Sequence, residues 1–279
     1  MMQSRADGDS GSMADRSTYK SHERVGSATR YATPALEKGL DILELLAHQS
    51  DGLTKSELAR SLDRSMSEIF RMLVCLEQRG YIAQVAGERY LLTLKLFQLA
   101  HEHPPTERLT AKALPVMKRL AYKTGQSCHL AVIDTDKIVI LAQVNPPTNL
   151  GFYVKLGSAV DVMEAASGYV ILAHQSDEER ARMVTEWKRR TGKQTPSDIE
   201  GHLKRIRRAG YEKRASYQVA GVLNMSFPVC DARGSALGAL TIPYIEYSTQ
   251  SMGQKEVVDS LKRATQEING AIGGKLVRA

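Results

Sequence analysis

Residues 54–93 read TKSELARSLDRSMSEIFRMLVCLEQRGYIAQVAGERYLLT. Two Ser/Thr-x-x-Glu patterns lie in this stretch, Thr54-Lys55-Ser56-Glu57 and Ser65-Met66-Ser67-Glu68, each ahead of an apolar run. In such a capping box the hydroxyl accepts from the backbone N–H three residues on, and the carboxylate reaches back to the first N–H, so a helix starts there. Leu58, Ala59 and Leu62 follow the first box, and Ile69, Met72, Leu73 and Leu76 follow the second, at the spacings of one helical face. Gly80 suits the end of the second helix. Two capped helices joined by Asp63-Arg64 predict a helix-turn-helix, and strand-like residues 81–85 and 89–92 around Ala86-Gly87 add a hairpin beside it. Upstream, Thr33-Pro34 opens a first helix, with Leu36, Leu40, Leu43 and Ala47 expected on its inner face.

If Ile69, Met72, Leu73 and Leu76 face a core, the helical period turns Ser67, Phe70, Arg71 and Val74 outward. A helix fits the major groove of DNA, where arginine can pair with guanine or hold a phosphate and a serine hydroxyl can reach either. Ser67, Phe70 and Arg71, with Ser65 and Met66 at the helix start, are therefore candidate DNA contacts, and Lys55 and Arg64 are candidate phosphate contacts. Ordinary surface charge is the alternative reading for Lys55, Arg64 and Arg71. Cys75, inside an apolar stretch, reads as core packing.

A chain of 279 residues with 42% hydrophobic content exceeds the usual size of one domain and predicts two compact units. Its net charge of +7 would suit a polyanion, yet residues 34–100 hold eight basic and nine acidic side chains. The excess lies C-terminal, as in Lys188, Arg189, Arg190 and Lys204, where charge runs usually form solvated helix faces. Net charge is thus no argument for DNA binding here. Cys75, Cys128 and Cys230 are far apart and form no Cys-x-x-Cys pair, so neither disulfides nor a zinc site is indicated. With Asp7, Asp9 and Asp15 near the start and only short apolar runs, a cytoplasmic protein is expected. No Gly-x-Ser-x-Gly, phosphate-loop, Gly-x-Gly-x-x-Gly or His-Glu-x-x-His pattern occurs, and His129 beside Cys128 reads as structural. No catalytic residue, metal or cofactor is therefore expected. An enzyme carrying a DNA-binding module and a DNA-binding protein without an effector are the competing classes.

Along the chain, residues 1–32 lack apolar periodicity and read as a flexible arm, and 33–93 form the winged helix-turn-helix. Residues 94–106 read as a linker helix, capped by Thr93 and broken at His103-Pro104-Pro105, and 107–279 as an α+β domain with an antiparallel sheet. Within that domain, helices are expected around Leu114, Met117 and Leu120, at 164–173, at 177–189 behind Ser176, at 196–208, and in a closing segment with Val258, Leu261, Ala264 and Ile268. Strands are expected at 128–132, 138–144, 152–156, 222–229 and 236–242. In the strand from 222, Leu223, Met225, Phe227 and Val229 make one apolar face, and Asn224, Ser226, Pro228 and Cys230 share the other.

From about Thr33 onward the chain resembles the IclR family of bacterial transcriptional regulators. The resemblance is carried by 35–43 (ALEKGLDIL), 67–73 (SEIFRML), Gly80-Tyr81-Ile82, 90–93 (YLLT), 129–132 (HLAV), Gly157-Ser158, Ala166-Ser167-Gly168, Gly210-Tyr211, Gly221-Val222 and 227–231 (FPVCD). A departure stands at Asp63-Arg64-Ser65-Met66, where the family often has Gly-Leu-Pro-Lys, so a DNA sequence preference does not transfer. The resemblance implies an effector domain similar to GAF and PAS sensor folds, a dimerising linker helix, and a homodimer or dimer of dimers on a double-stranded DNA operator. It also implies a small-molecule effector, an organic acid or aromatic metabolite, held by Asn224, Ser226, Cys230 and Thr241 on the sheet and by Ser167 and Gly168 at the opposite wall.

Overall fold

The computed structural model describes residues 33–102, 104–149, 151–248 and 252–275, and the arm expected at 1–32 lies outside them. In chain order the elements are α1 (Pro34–Leu46), β1 (Leu53–Thr54), α2 (Lys55–Ser61), α3 (Met66–Gln78), β2 (Ile82–Val85), β3 (Arg89–Leu92), α4 (Lys95–Glu102) and α5 (Pro104–Thr124). They continue as β4 (Cys128–Asp134), β5 (Lys137–Val144), β6 (Ala159–Asp161), α6 (Ala166–Ala173), α7 (Asp177–Thr191), α8 (Ile199–Ala209), β7 (Glu212–Ala215), β8 (Leu223–Cys230), β9 (Ala236–Tyr244) and α9 (Gln254–Ile272).

Both capping boxes form. Thr54 N–H donates to the Glu57 carboxylate at 2.8 Å while its hydroxyl accepts from Glu57 N–H at 3.3 Å, and Ser65 does the same with Glu68 at 3.0 and 3.3 Å. Asp63 takes a left-handed turn between the helices, at φ 51°. Ile42 and Leu46 of α1 meet Leu58, Ile69, Leu73 and Ile82 in one apolar cluster. The inner face expected for α1 is corrected: Leu36 and Leu40 stay 62% and 48% exposed, and Ala47 lies beyond the helix. At roughly 100° per residue, Ile42 sits about 200° around the helix from Leu40. The helix carries apolar side chains on both sides, and only one side meets α2 and α3. Cys75 is corrected as well, for it is exposed; four residues after Arg71, it shares the outer face of α3. The hairpin pairs Val85 with Arg89 through Ile82 with Leu92, and β1, too short to be read from sequence, completes a three-stranded sheet in the order β1-β3-β2.

The Thr93 hydroxyl accepts from Lys95 N–H at 3.1 Å as α4 begins. This helix ends at Glu102, and α5 runs from Pro104 through Pro115 to Thr124, so the helix expected around Leu114 reaches back to the Pro-Pro pair. The six-stranded antiparallel sheet has the order β6-β5-β4-β9-β8-β7. On one face, Leu130, Met225, Phe227, Leu240 and Ile242 pack on Met117 and Leu120 of α5 and Leu261 and Ile268 of α9. The other face carries Ala131, Ile140 and Ala239 against Tyr169 and Val170 of α6, with Met183, Trp187, Leu203 and Ile206 of α7 and α8 in the same cluster.

No strand forms at 152–156. Gly157 N–H bonds the Ile140 carbonyl at 2.9 Å, with φ 73°, and Ile140 N–H bonds the Ser158 carbonyl at 3.2 Å, so β5 is edged by β6 instead. The helix expected from 164 begins at Ala166, because the N–H groups of Glu164 and Ala165 bond back to the Asp161 carbonyl.

Candidate functional site

Two surfaces hold the residues singled out above. The first is the outer face of α3. Met66 and Phe70 are 42% and 50% exposed, Ser67 and Arg71 are exposed beside them, and the opposite face is locked into the core by Ile69 and Leu73. Lys55, at the start of α2, brings its ammonium to 5.1 Å from the Phe70 ring centroid, a cation–π contact that joins the two helices at this face. Arg64 is exposed in the turn. Ser65 is committed to its cap, since its hydroxyl also donates to the Glu68 carboxylate at 2.8 Å. The same carboxylate meets the Lys38 ammonium of α1; that bond and the two from Ser65 hold the Glu68 carboxyl at about 2. The outward helix is thus tied at its N-terminus to both of its neighbours.

The second surface lies between the sheet and the start of α6. Registered pairs align Gln143 of β5, His129 of β4, Thr241 of β9, Ser226 of β8 and Glu212 of β7 in one polar row across five strands. Ser226 and Thr241 share a hydroxyl–hydroxyl bond of 2.7 Å, and the Glu212 carboxylate meets His202 Nε2 of α8 at 2.8 Å. A cavity of about 50 Å³ opens on this row, lined by His129, Thr241 and Asn224 from the sheet and Ser167 from α6. Phe152 and Val154 of the irregular 151–158 segment and Tyr217 of the β7–β8 connection also line it.

Of the six residues expected to hold an effector, Ser167, Asn224 and Thr241 line the cavity and Ser226 lies under Thr241. Gly168 does not; a Cβ there would stand 2.0 Å from the Val162 carbonyl oxygen, so this glycine lets α6 press against the chain before it. Cys230 sits past a bulge at the end of β8, where its N–H bonds Asn269 Oδ1 of α9 at 3.0 Å. Burial pushes the Cys230 thiol to about 12, with Asp231 adding to the shift. Sequence reasoning placed His129 on its strand but not at this cavity, where it stands through the register with Thr241. It missed Phe152 and Tyr217 because loop residues carry no period.

A larger cleft, about 540 Å³, lies on the opposite face between β8 and α9, lined by Phe227, Lys262, Thr265 and Asn269. Its buried polar groups are already paired, Thr265 to the Leu261 carbonyl at 2.9 Å and Asn269 to Cys230. In the polar row, by contrast, His129 Nδ1 and Gln143 Oε1 are buried without a partner, as is Ser127 Oγ two residues before His129. Unpaired buried groups are costly unless something else satisfies them, which makes the smaller cavity the candidate recognition site. Among the described residues no group of three His, Cys, Asp or Glu side chains is placed to hold a metal ion.

Residues 35–86 match the IclR helix-turn-helix domain, and residues 106–270 match the bacterial transcriptional regulator IclR C-terminal domain. The chain belongs to the IclR family. It is a transcriptional regulator with an N-terminal helix-turn-helix and a C-terminal effector-binding domain, in a family that is not enzymatic. Among IclR relatives, the HTH-type transcriptional regulator KdgR of Escherichia coli is 29% identical over 244 residues, 85% of this chain and 91% of that protein. BhcR of Paracoccus denitrificans is 27% identical over 214 residues, 75% of this chain and 76% of that protein. The solved structure of an IclR homologue from Microbacterium hydrocarbonoxydans, complexed with 4-hydroxybenzoate, superimposes with a TM-score of 0.69 at 20% identity. It covers 85% of this chain and 98% of its own. The Thermotoga maritima IclR structure gives 0.65 at 23%, with the same shares covered. Both support the fold. No described helix is long and apolar enough to cross a membrane.

Proposed function

We propose that this cytoplasmic regulator binds a pseudo-palindromic DNA operator as a homodimer, and that a small organic acid in the cavity beneath α6 alters its affinity for that DNA. The observation that carries the DNA reading is α3 itself, a doubly tied helix that buries Ile69 and Leu73 and presents Met66, Ser67, Phe70 and Arg71. Arg71 and Ser67 supply the base-edge or phosphate contacts, and Lys55 and Arg64 supply the phosphate contacts. Self-association is supported by apolar side chains left exposed on the small domain and on α4, with Leu36, Leu40, Leu94, Leu96, Phe97 and Leu99 between 40% and 72% exposed. One module spans too few base edges for genomic specificity, so a dimer reading two half-sites is required.

The effector reading rests on the partly unpaired polar row beneath the start of α6, whose Ala165 cap offers no side chain to the first helical N–H groups. Those donors, with Ser167 and Asn224, suit a carboxylate. Phe152 and Tyr217 suit an aromatic body, in keeping with the 4-hydroxybenzoate held by the Microbacterium homologue. The test is selection of duplexes from a random-sequence library by the full-length protein at physiological salt. Enrichment of an inverted repeat, with half-sites about 10 base pairs or a multiple apart, is expected. Recovery of unrelated sequences would sink the operator reading.

A further inference from the structure

No residue lining the cavity under α6 carries a fixed positive charge. Of its lining residues only His129 and Tyr217 titrate, and burial with the nearby Glu164 and Asp161 carboxylates raises the Tyr217 phenol further above neutrality. Around His129, the sheet supplies Gln143 from β5 and Thr241 from β9, α6 supplies Ser167, the 151–158 segment supplies Phe152 and Val154, and the β7–β8 connection supplies Tyr217. None of these is charged at neutral pH. The charged groups near it stand outside the lining. Glu212, two strands beyond Thr241, is bonded to His202 of α8. Arg214 of β7, paired with Asn224, lies 4.5 Å over the Tyr169 ring of α6, with its Nη1 buried and without a hydrogen-bond partner. His129 itself is 7% exposed, and its Nδ1 has no partner.

A carboxylate entering such a space loses its hydration and meets no cation among the lining residues, unless one is made there. His129 is the one lining group that can become a cation by gaining a proton. We infer, resting on the effector reading above, that His129 receives the effector's carboxylate and takes up one solvent proton as it binds, making an imidazolium–carboxylate pair inside the cavity. The balance is one neutral imidazole, one carboxylate and one proton giving one ion pair, with no other bond changed.

In the free protein, burial holds the His129 imidazole at about 4, so it is neutral near pH 7. A bound anion favours the charged form and raises that value. Between the free and bound values each complex takes up a proton, and affinity falls up to tenfold for each unit of rising pH. This regulation differs from simple recognition by helix N–H groups, which would be independent of pH above the effector's own pKa.

Calorimetric titration of the full-length protein with benzoate, 4-hydroxybenzoate, pyruvate and glycerate, each beside its primary amide, tests the inference. Titrations run from pH 6 to 8, and at pH 7 in buffers of contrasting ionisation enthalpy. At least one acid is expected to bind in preference to its amide, weakening close to tenfold per pH unit, with buffer-dependent heats reporting about one proton taken up. His129→Asn should weaken that acid at least tenfold and flatten its pH dependence; the wild-type heats decide the matter even if this variant unfolds. An acid that binds with no pH dependence and no buffer-dependent heat overturns the role of His129 while leaving the effector reading standing. Equal binding of acid and amide does the same. Failure of every acid and amide to bind overturns both.

Discussion

Helix α3 and strand β8 each divide their side chains into an apolar and a polar face, and the two polar faces meet different fates. On α3, Arg71 and Phe70 reach the surface; on β8, Ser226 is fully buried beneath α6 and Asn224 is half-buried at a cavity. Periodicity states which residues share a face and leaves open what covers it. The covering element has its own signature: all eight residues of α6 are buried, and a helix apolar all round has no side to give to water. A polar strand face beneath such a helix is a candidate recognition site, whereas an outward helix face with no such neighbour is a candidate docking surface.

The comparison can be broken from either side. The largest expected effect is from Ile69→Ala, which empties the core side of α3 and should destabilise the N-terminal domain by about 2–5 kcal/mol, seen as earlier denaturant unfolding with loss of DNA binding. Gly168→Ala drives a methyl into the Val162 carbonyl and should cost about 1–3 kcal/mol in unfolding of the C-terminal domain. No loss there would mean that α6 is not pressed on the chain as described. Arg71→Ala should weaken specific DNA binding by roughly 1–3 kcal/mol and leave the melting temperature nearly unchanged. A large fall in stability would place Arg71 in the fold. Ser65→Ala removes one capping box and should cost about 1 kcal/mol. Smallest is a titration. The Glu68 carboxyl, followed by NMR, should lose its proton near pH 2, so its tie to Lys38 and Ser65 is intact above the ordinary value of 4.5 and fades as pH falls toward 2. A midpoint at the ordinary carboxylate value would show that the tie does not form.

Legibility followed the locality of each cause. The caps at Thr54, Ser65 and Ser176 are set within four residues, and all three form as read. On α1 the apolar residues lie on two sides, and nothing local says whether Leu40 or Ile42 turns inward. Strand β7, with the sequence Glu212-Lys213-Arg214-Ala215, has no apolar alternation and exists because β8 offers it a paired edge. The site divided in the same way. Asn224 was legible from the alternation of its strand and Thr241 from the family resemblance, but His129 joins them only through the β4–β9 register, and Phe152 only because the irregular 151–158 segment lines the cavity instead of forming a strand.

The central claim joins an exposed reading helix to a buried effector row in one regulated protein. It is tested most directly by fluorescence anisotropy of the selected duplex and a shuffled control at physiological salt, with and without the acid that binds best. The account predicts at least about a thousandfold preference for the selected duplex, and a shift in that affinity when the acid is added. Equal affinity for the two duplexes, or an acid that binds the protein and leaves the DNA affinity unchanged, would contradict it.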